Sequence, residues 1–156
     1  MSIADPTDID RPTRGLKNRN PGNLRVVPAF HWQGQIGNGD SKGFVVFDSD
    51  VNGIRADIIN LHTHYVRDHE TSILALISVY APPVENDTKA YAKFVSDRLG
   101  IDPLATITFD RPTANALIRA IIKIEQGVQP YDDATIAAAV EAAFAHFEAP
   151  SSGAKA

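Results

Sequence analysis

The sequence has no cysteine, a single methionine and a single tryptophan among its 156 residues. The absence of cysteine excludes disulfides, thiolate nucleophiles and cysteine-bound zinc. No run of basic residues occurs and the net charge is -4, so neither a nucleic-acid partner nor charge-driven binding to an anionic membrane is expected. No apolar run approaches the roughly 18 residues of a membrane span, so we expect no membrane insertion. The histidines and acids do not recur at metal-ligand spacing, so neither a metal nor a cofactor is expected.

The overall composition is that of an ordinary folded protein, with 44% hydrophobic and 22% charged residues. The length fits one domain. We expect a flexible leader at 1–13, a single domain at 14–147 and a flexible tail at 148–156. Because the first residues lack the basic start and apolar core of a signal peptide, we expect synthesis in the cytoplasm without one.

Apolar residues recur at helical spacing from about residue 49 to the end of the domain, which predicts five helices. Their expected ranges are 49–67, 72–80, 87–99, 112–126 and 133–147. Three short β-rich runs at 24–27, 32–36 and 44–47 precede or adjoin the first helix and are separated by proline and glycine. The predicted fold is therefore mostly α (α+β), with a small antiparallel β element near the N-terminus.

A dense turn signal lies at RGLKNRNPGN, which ends at Asn23. Pro21 and Gly22 fit the centre of a type II turn, in which glycine supplies a positive φ. Asn18, Asn20 and Asn23 surround this turn with amides that both donate and accept hydrogen bonds. Such a cluster either recognises a ligand rich in amides and hydroxyls or ties down the loop, and the residues alone leave both interpretations open.

One carboxylate stands out at the end of the fourth predicted helix. Gly127 is a natural helix terminator, which places Glu125 in the last turn, where the helix dipole disfavours a negative charge. Neighbouring isoleucines would remove water from it, and both effects raise the pKa of a carboxyl group. A partly protonated acid is what general acid catalysis needs. The alternative is a solvated glutamate paired with Lys123 or Arg119.

Several motifs together resemble a set of phage and prophage proteins. These proteins share R-G-x-x-N-x-N-P-G-N-[IL]-R, then A-P-P-x-E-N-x-T-x-x-Y, then E-x-G-x-x-P-Y. The corresponding segments here end at Arg25, Tyr91 and Tyr131. The resemblance covers about residues 14–131, and some such proteins are thought to degrade peptidoglycan.

A more distant similarity links the chain to glucosaminidases of the flagellar-rod and autolysin type. Their order of an N-L-F-G-I-K turn, W-x-G and F-R-x-Y-x-S is similar to the segments here that begin at Asn23, Trp32 and Phe44. In those enzymes the catalytic glutamate precedes the turn, whereas here the matching segment, which contains Glu125, comes last. A circular permutation of a lysozyme-like fold would explain this order.

The resemblance implies a lysozyme-like domain that cleaves peptidoglycan glycan strands as a hydrolase or a lytic transglycosylase. Glu125 would be the general acid, with Glu85 or Asp87 as the available second carboxylate of a two-carboxylate mechanism. Substrate contacts are predicted for Asn20, Asn23, Trp32, Tyr91 and Gln126. Trp32 would stack on a sugar or belong to the core, and Asp87 has an ordinary alternative role as a helix-capping residue.

The resemblance also implies where the protein acts and with which partners. We expect activity in the periplasm or cell wall, or within a virion, with other virion proteins as further partners. The alternative from a different class is a non-catalytic virion structural or cell-wall-binding protein with the same fold.

Overall fold

The computed structural model describes residues 9–80 and 86–149. This part of the chain contains six α-helices, joined by loops. In chain order they are α1 (Arg14–Lys17), α2 (Asp50–Arg67), α3 (Ile73–Tyr80), α4 (Asn86–Leu99), α5 (Arg111–Gln126) and α6 (Asp133–Glu148). The prediction of a mostly α fold is confirmed.

Side-chain caps explain why the longer helices start where the sequence predicts. The N-caps of α2, α5 and α6 are Ser49, Asp110 and Asp132. Each of these side chains accepts a hydrogen bond from the backbone N–H of the residue three positions later. Gly127 ends α5 in the left-handed conformation, as expected. The single turn of α1 was not predicted; it is capped by the Thr13 side chain.

Helix α5 is the centre of the domain. It contacts each of the other five helices, and its apolar residues from Ala114 to Ile122 are almost all buried. Helix α2 packs mainly on α6, while α4 packs on α3 and α5. The prediction that this apolar helix is central is therefore confirmed. Among the described helices, none is long and apolar enough to cross a membrane.

The predicted antiparallel sheet is wrong. Within the described residues the three β-rich runs form only isolated antiparallel bridges, at Arg25–Phe44 and Gln35–Phe47. The side-chain amide of Asn20 supplies a physical reason, because it bonds the backbone N–H and C=O of Leu24 and the C=O of Val45. The Val45 N–H still pairs with the Leu24 carbonyl oxygen, at 2.9 Å, but the Leu24 N–H and the Val45 C=O are bonded to the Asn20 side chain, so the pairing stops at bridges rather than continuing as strands.

The packed part of the chain extends upstream of the predicted boundary at Arg14. The Arg11 guanidinium donates to both carboxylate oxygens of Asp50, at 2.9 and 2.8 Å, and to the carbonyl oxygen of Leu16. Ile9 packs against the main core. Residues 9–13 thus contact the domain, although the sequence placed them in a flexible leader.

Candidate functional site

The Asn20–Asn23 turn is present, but it is not the expected type. The Asn23 N–H donates to the Asn20 carbonyl oxygen at 3.1 Å, which closes a four-residue turn. Gly22 has no positive φ; the left-handed residue is Asn23, at φ 52°. A type II turn needs the positive φ at its third residue, so that prediction is wrong. Gly22 is required for another reason.

That reason is the close approach between the turn and α2. A Cβ on Gly22 would lie 2.0 Å from Oδ1 of Asp57, and a Cβ on Gly53 would lie 1.7 Å from the Arg19 carbonyl oxygen. Real Cβ atoms do not approach other heavy atoms this closely. Glycine on both surfaces therefore lets the turn lie directly on the α2 helix.

The predicted contact residues Asn20 and Gln126 hold the turn in place. Asn20 is fully buried, and its amide bonds to backbone groups of Leu24 and Val45. Gln126 is also buried; its Nε2 donates to the Pro21 carbonyl oxygen at 2.7 Å, and its Oε1 accepts from the Thr13 hydroxyl. In this conformation both amides bind the protein itself, so they fix the loop rather than face a ligand.

Glu125 lies half-buried at the end of α5, beside this turn. Asn23 Nδ2 donates to its Oε2 at 3.0 Å. Burial raises the pKa of Glu125 above its ordinary value, and the Asn23 hydrogen bond opposes part of that rise. The sequence-based expectation of a raised pKa is confirmed.

The alternative of a glutamate paired with a nearby cation is not what the structure shows. No salt bridge in the described part of the chain involves Glu125. The Lys123 amine donates to the Gly127 carbonyl oxygen, and the Arg119 guanidinium binds Asp133. The carboxyl group is therefore held by an amide, without a cation that would favour its charged form.

A second carboxyl group near Glu125 was missed by sequence reasoning. Asp57 is fully buried in the middle of α2, and neither of its oxygens has a side-chain partner. Burial raises the pKa of Asp57 well above its ordinary value, the negative charge of Glu125 adds to the rise, and the Gly22 N–H opposes it. The sequence held a partial signal, because Asp57 stands between Ala56 and the apolar pair Ile58 and Ile59 inside a predicted helix.

Tyr80 and Asn60 complete the polar group on the α2 side of the turn. Asn60 Nδ2 donates to the Tyr80 hydroxyl at 2.8 Å. Burial raises the pKa of Tyr80, and the charges of Asp57 and Glu125 raise it further. The hydroxyl therefore keeps its proton and remains a hydrogen-bond donor.

Of the remaining predicted site residues, those that the structure describes show no contact with Glu125. Asp87 is exposed in the first turn of α4, and no contact of the described residues joins it to Glu125. Glu85 lies outside the described residues. Trp32 is half-buried and packs against the main core and against a smaller cluster of buried residues that contains Val45, Phe47 and Ala56. Its ring meets the Phe30 ring edge-to-face, with 5.2 Å between the ring centroids. Its position favours the core interpretation.

Tyr91 lines a separate cavity of about 390 Å³ between α4 and α5. Phe94, Ala120 and Lys123 share the lining. Lys123 and Glu125 are two residues apart on α5, so their side chains point about 160° apart around the helix axis. Tyr91, on α4, consequently lies beside a different face of α5 from the one that carries Glu125.

The resulting site has one half-exposed acid and one fully buried acid on either side of a rigid turn. Glu125 can exchange a proton with a ligand at the surface, whereas Asp57, with no exposed surface, cannot touch a ligand. Among the described residues no cluster of three metal-ligating side chains occurs. Proton transfer and hydrogen bonding are the chemistry that these side chains supply.

Comparison with known proteins shows the family of this chain. No protein-family model matches the chain. Over 128 residues it is 35% identical to Protein P5 of Pseudoalteromonas phage PM2, an alignment that covers 81% of this chain and 79% of that protein. Identity at this level over most of both chains shows common descent, and the chain therefore belongs to the family of phage proteins that includes Protein P5 of phage PM2.

Proposed function

We propose that this phage-family protein cleaves the glycan strands of peptidoglycan, with Glu125 as the general acid. The observation that carries the proposal is the state of Glu125: half-buried, held by the Asn23 amide at 3.0 Å, and raised in pKa by burial. A general acid must carry a proton near the working pH and must reach the substrate. The raised pKa and the half-exposed position of Glu125 support both requirements, and membership of a phage family is compatible with a cell-wall substrate.

The arrangement of the carboxyl groups that the structure describes favours a mechanism with one glutamate. A two-carboxylate glycosidase needs its second carboxylate at the sugar ring. Asp57 is fully buried and Asp87 has no contact with Glu125 among the described residues, so neither meets that need as placed. The substrate's own groups would then replace the second carboxylate.

The proposed reaction balances with a single proton carrier. Glu125 gives its proton to the glycosidic oxygen while the bond from that oxygen to the anomeric carbon breaks. The resulting carboxylate takes a proton from the nucleophile that attacks the same carbon, which restores the acid. If the nucleophile is a hydroxyl of the same sugar, an anhydro end forms; if it is water, a reducing end forms.

The fold that we propose for this activity is a lysozyme-like one in which the order of the segments is circularly permuted. Its support is the order of the motifs: the turn at Asn23 comes first and Glu125 about a hundred residues later, yet the structure bonds the two side chains directly. A permuted order brings the same segments together from opposite ends of the chain.

One observation favours a different function. The cavity of about 390 Å³ lies between α4 and α5, and Glu125 does not line it. A protein that only binds the cell wall or another virion component could use that cavity and leave Glu125 idle. We keep this non-catalytic role as the competing proposal.

A zymogram on purified peptidoglycan separates the two functions. The wild-type protein should clear the gel, and a folded Glu125→Gln variant should not. The exposed Glu141→Gln variant is the matched control and should clear like wild type. Clearing by Glu125→Gln would refute the role of Glu125. If no protein clears the gel but wild type sediments with cell walls, the binding function is correct. Mass spectrometry of released fragments identifies anhydro or reducing ends.

A further inference from the structure

We propose that Asp57 is a positioning residue for Glu125, which supports the Asn20–Asn23 turn through Gly22 so that the Asn23 amide reaches the Glu125 carboxyl group. This inference assigns a role to a residue that touches no substrate. Its functional meaning rests on the proposed function, but its structural content is independent of any activity.

The first step is the face that α2 presents to the turn. Gly53, Asp57 and Asn60 are spaced i, i+4 and i+7 and therefore lie along one face of the helix. Gly53 lies against the Arg19 carbonyl oxygen, and Asp57 lies against Gly22. The same face thus supports both ends of the turn, with a carboxyl group where an apolar side chain would be ordinary.

The second step is the path from Asp57 to Glu125. The carboxyl group of Asp57 is so close to Gly22 that a Cβ there would lie 2.0 Å from Oδ1. The next residue, Asn23, is held at φ 52°, and from there its Nδ2 bonds to Oε2 of Glu125. Any displacement of Gly22 away from α2 therefore changes the position of the Asn23 amide.

The third step is the charge state of Asp57. Burial raises its pKa well above the ordinary value, so Asp57 keeps its proton to a higher pH than an unburied aspartate does. The titratable groups whose charges interact with it are Glu125 on α5, Tyr80 on α3 and Tyr131 after α5. A charged Asp57 would be buried without a cationic partner and would repel ionised Glu125. The neutral form lets both carboxyl groups lie beside one turn.

The test follows the Asn23–Glu125 bond directly by NMR. In wild type, the Asn23 side-chain amide resonances should shift as Glu125 ionises, because the amide is bonded to the carboxyl group. Asp57→Asn keeps the shape and the neutral state and should retain this shift. Asp57→Ala removes the support and should lose it.

A matched control separates positioning from general destabilisation. Leu61→Ala removes a fully buried side chain on the same face of α2, one helical turn beyond Asp57, and it should retain the coupled shift. If Asp57→Ala does not fold, Asp57→Val serves instead, because valine keeps most of the buried volume but lacks the carboxyl oxygens, of which Oδ1 lies nearest to Gly22. Retention of the shift in Asp57→Ala or Asp57→Val, or its loss in Leu61→Ala, overturns the proposal.

Kinetics give a second readout if the wild-type protein is active. A displaced Glu125 should lower kcat of Asp57→Ala by roughly 10- to 100-fold with little change in KM, since misplacement of a catalytic group affects the chemical step. Asp57→Asn should keep most of kcat. An equal fall in both variants contradicts a positioning role. A wild-type protein without activity refutes the proposed function alone, because the NMR result stands by itself.

Discussion

The two faces of α5 differ in how closely they are packed and in the polarity of what they contact. On one face, Glu125 accepts a hydrogen bond from a turn that lies so close to α2 that two positions must be glycine. On the other, Tyr91 and Phe94 line an open, largely apolar cavity with Lys123 at its edge. One helix thus separates a rigid polar site from a surface that leaves room for a ligand.

This difference indicates a division of tasks. The rigid face fixes a carboxyl group whose pKa is raised, which is what proton transfer needs. The open face has the concave, mainly apolar character of a binding surface. The proposed catalysis depends only on the rigid face, so variants on the two faces should have separable effects.

The largest effect is expected for Gly53→Ala. Alanine in the interior of a helix ordinarily stabilises it by roughly 0.5–1 kcal/mol relative to glycine. Here the new Cβ would meet the Arg19 carbonyl oxygen at 1.7 Å, so the variant should lose about 1–3 kcal/mol or more. Urea denaturation measures the free energy of unfolding. If Gly53→Ala were more stable than wild type, α2 would not be tightly packed against the chain at Arg19.

Asp57→Asn tests the charge state beneath the turn. The folded-state pKa of Asp57 is raised above the ordinary value of 3.8, so between the two values the unfolded chain binds fewer protons than the folded one. Wild-type stability should therefore fall as pH rises through this window, by at most about 1.4 kcal/mol per pH unit from this group. The asparagine variant lacks that contribution and should be increasingly more stable than wild type.

The comparison is made by urea denaturation at several pH values, always as variant minus wild type, because Glu125 contributes a fall of the same sign in both proteins. Leu61→Ala, which removes no titratable group, is the control and should differ from wild type by the same amount at every pH. A difference between Asp57→Asn and wild type that does not change with pH would mean that Asp57 is charged in the folded protein.

Asn23→Gly isolates the hydrogen bond to Glu125. Glycine accepts the positive φ of this position, so the backbone of the turn is kept and only the amide is lost. The pKa of Glu125 should rise further, because the Asn23 bond lowers it, and stability should fall by about 0.5–1.5 kcal/mol. NMR titration of the Glu125 carboxyl carbon measures the pKa. An unchanged pKa would mean that this bond is absent in solution.

Tyr91→Phe should have the smallest effect. It removes only a hydroxyl on the open face of α5, so the pKa of Glu125 should not change and the rate of glycan cleavage should change by less than about twofold. Fragment release from peptidoglycan measures the rate. A large loss of activity would place the substrate on the Tyr91 face and restore the sequence-based prediction of a Tyr91 contact.

The helices and the role of Glu125 as a half-buried acid could be predicted from the sequence, because residues close by in the chain determine them. Ser49, Asp110 and Gly127 are capping residues, and they place the ends of α2 and α5 within a residue or two of the prediction. Glu125 needed only its position at a helix end and its isoleucine neighbours. These signals all lie within a few residues of the feature that they predict.

The failures share a different cause, which is contact between residues distant in the sequence. The sheet prediction could not anticipate that the Asn20 amide would bond the backbone of Leu24 and Val45. The turn prediction assigned Gly22 to a positive φ. The real constraint is the close packing of Asp57, on α2, against Gly22. Asp57 itself was passed over because its significance comes from Glu125, which lies in α5 rather than α2.

The most direct measurement of the central claim is the rate at which soluble fragments leave purified peptidoglycan, followed by liquid chromatography and mass spectrometry. Glu125→Gln should lower this rate by about 10²- to 10⁴-fold, the usual contribution of a general acid, while Glu141→Gln should match wild type. Release of the same fragments at the wild-type rate by folded Glu125→Gln would contradict the account.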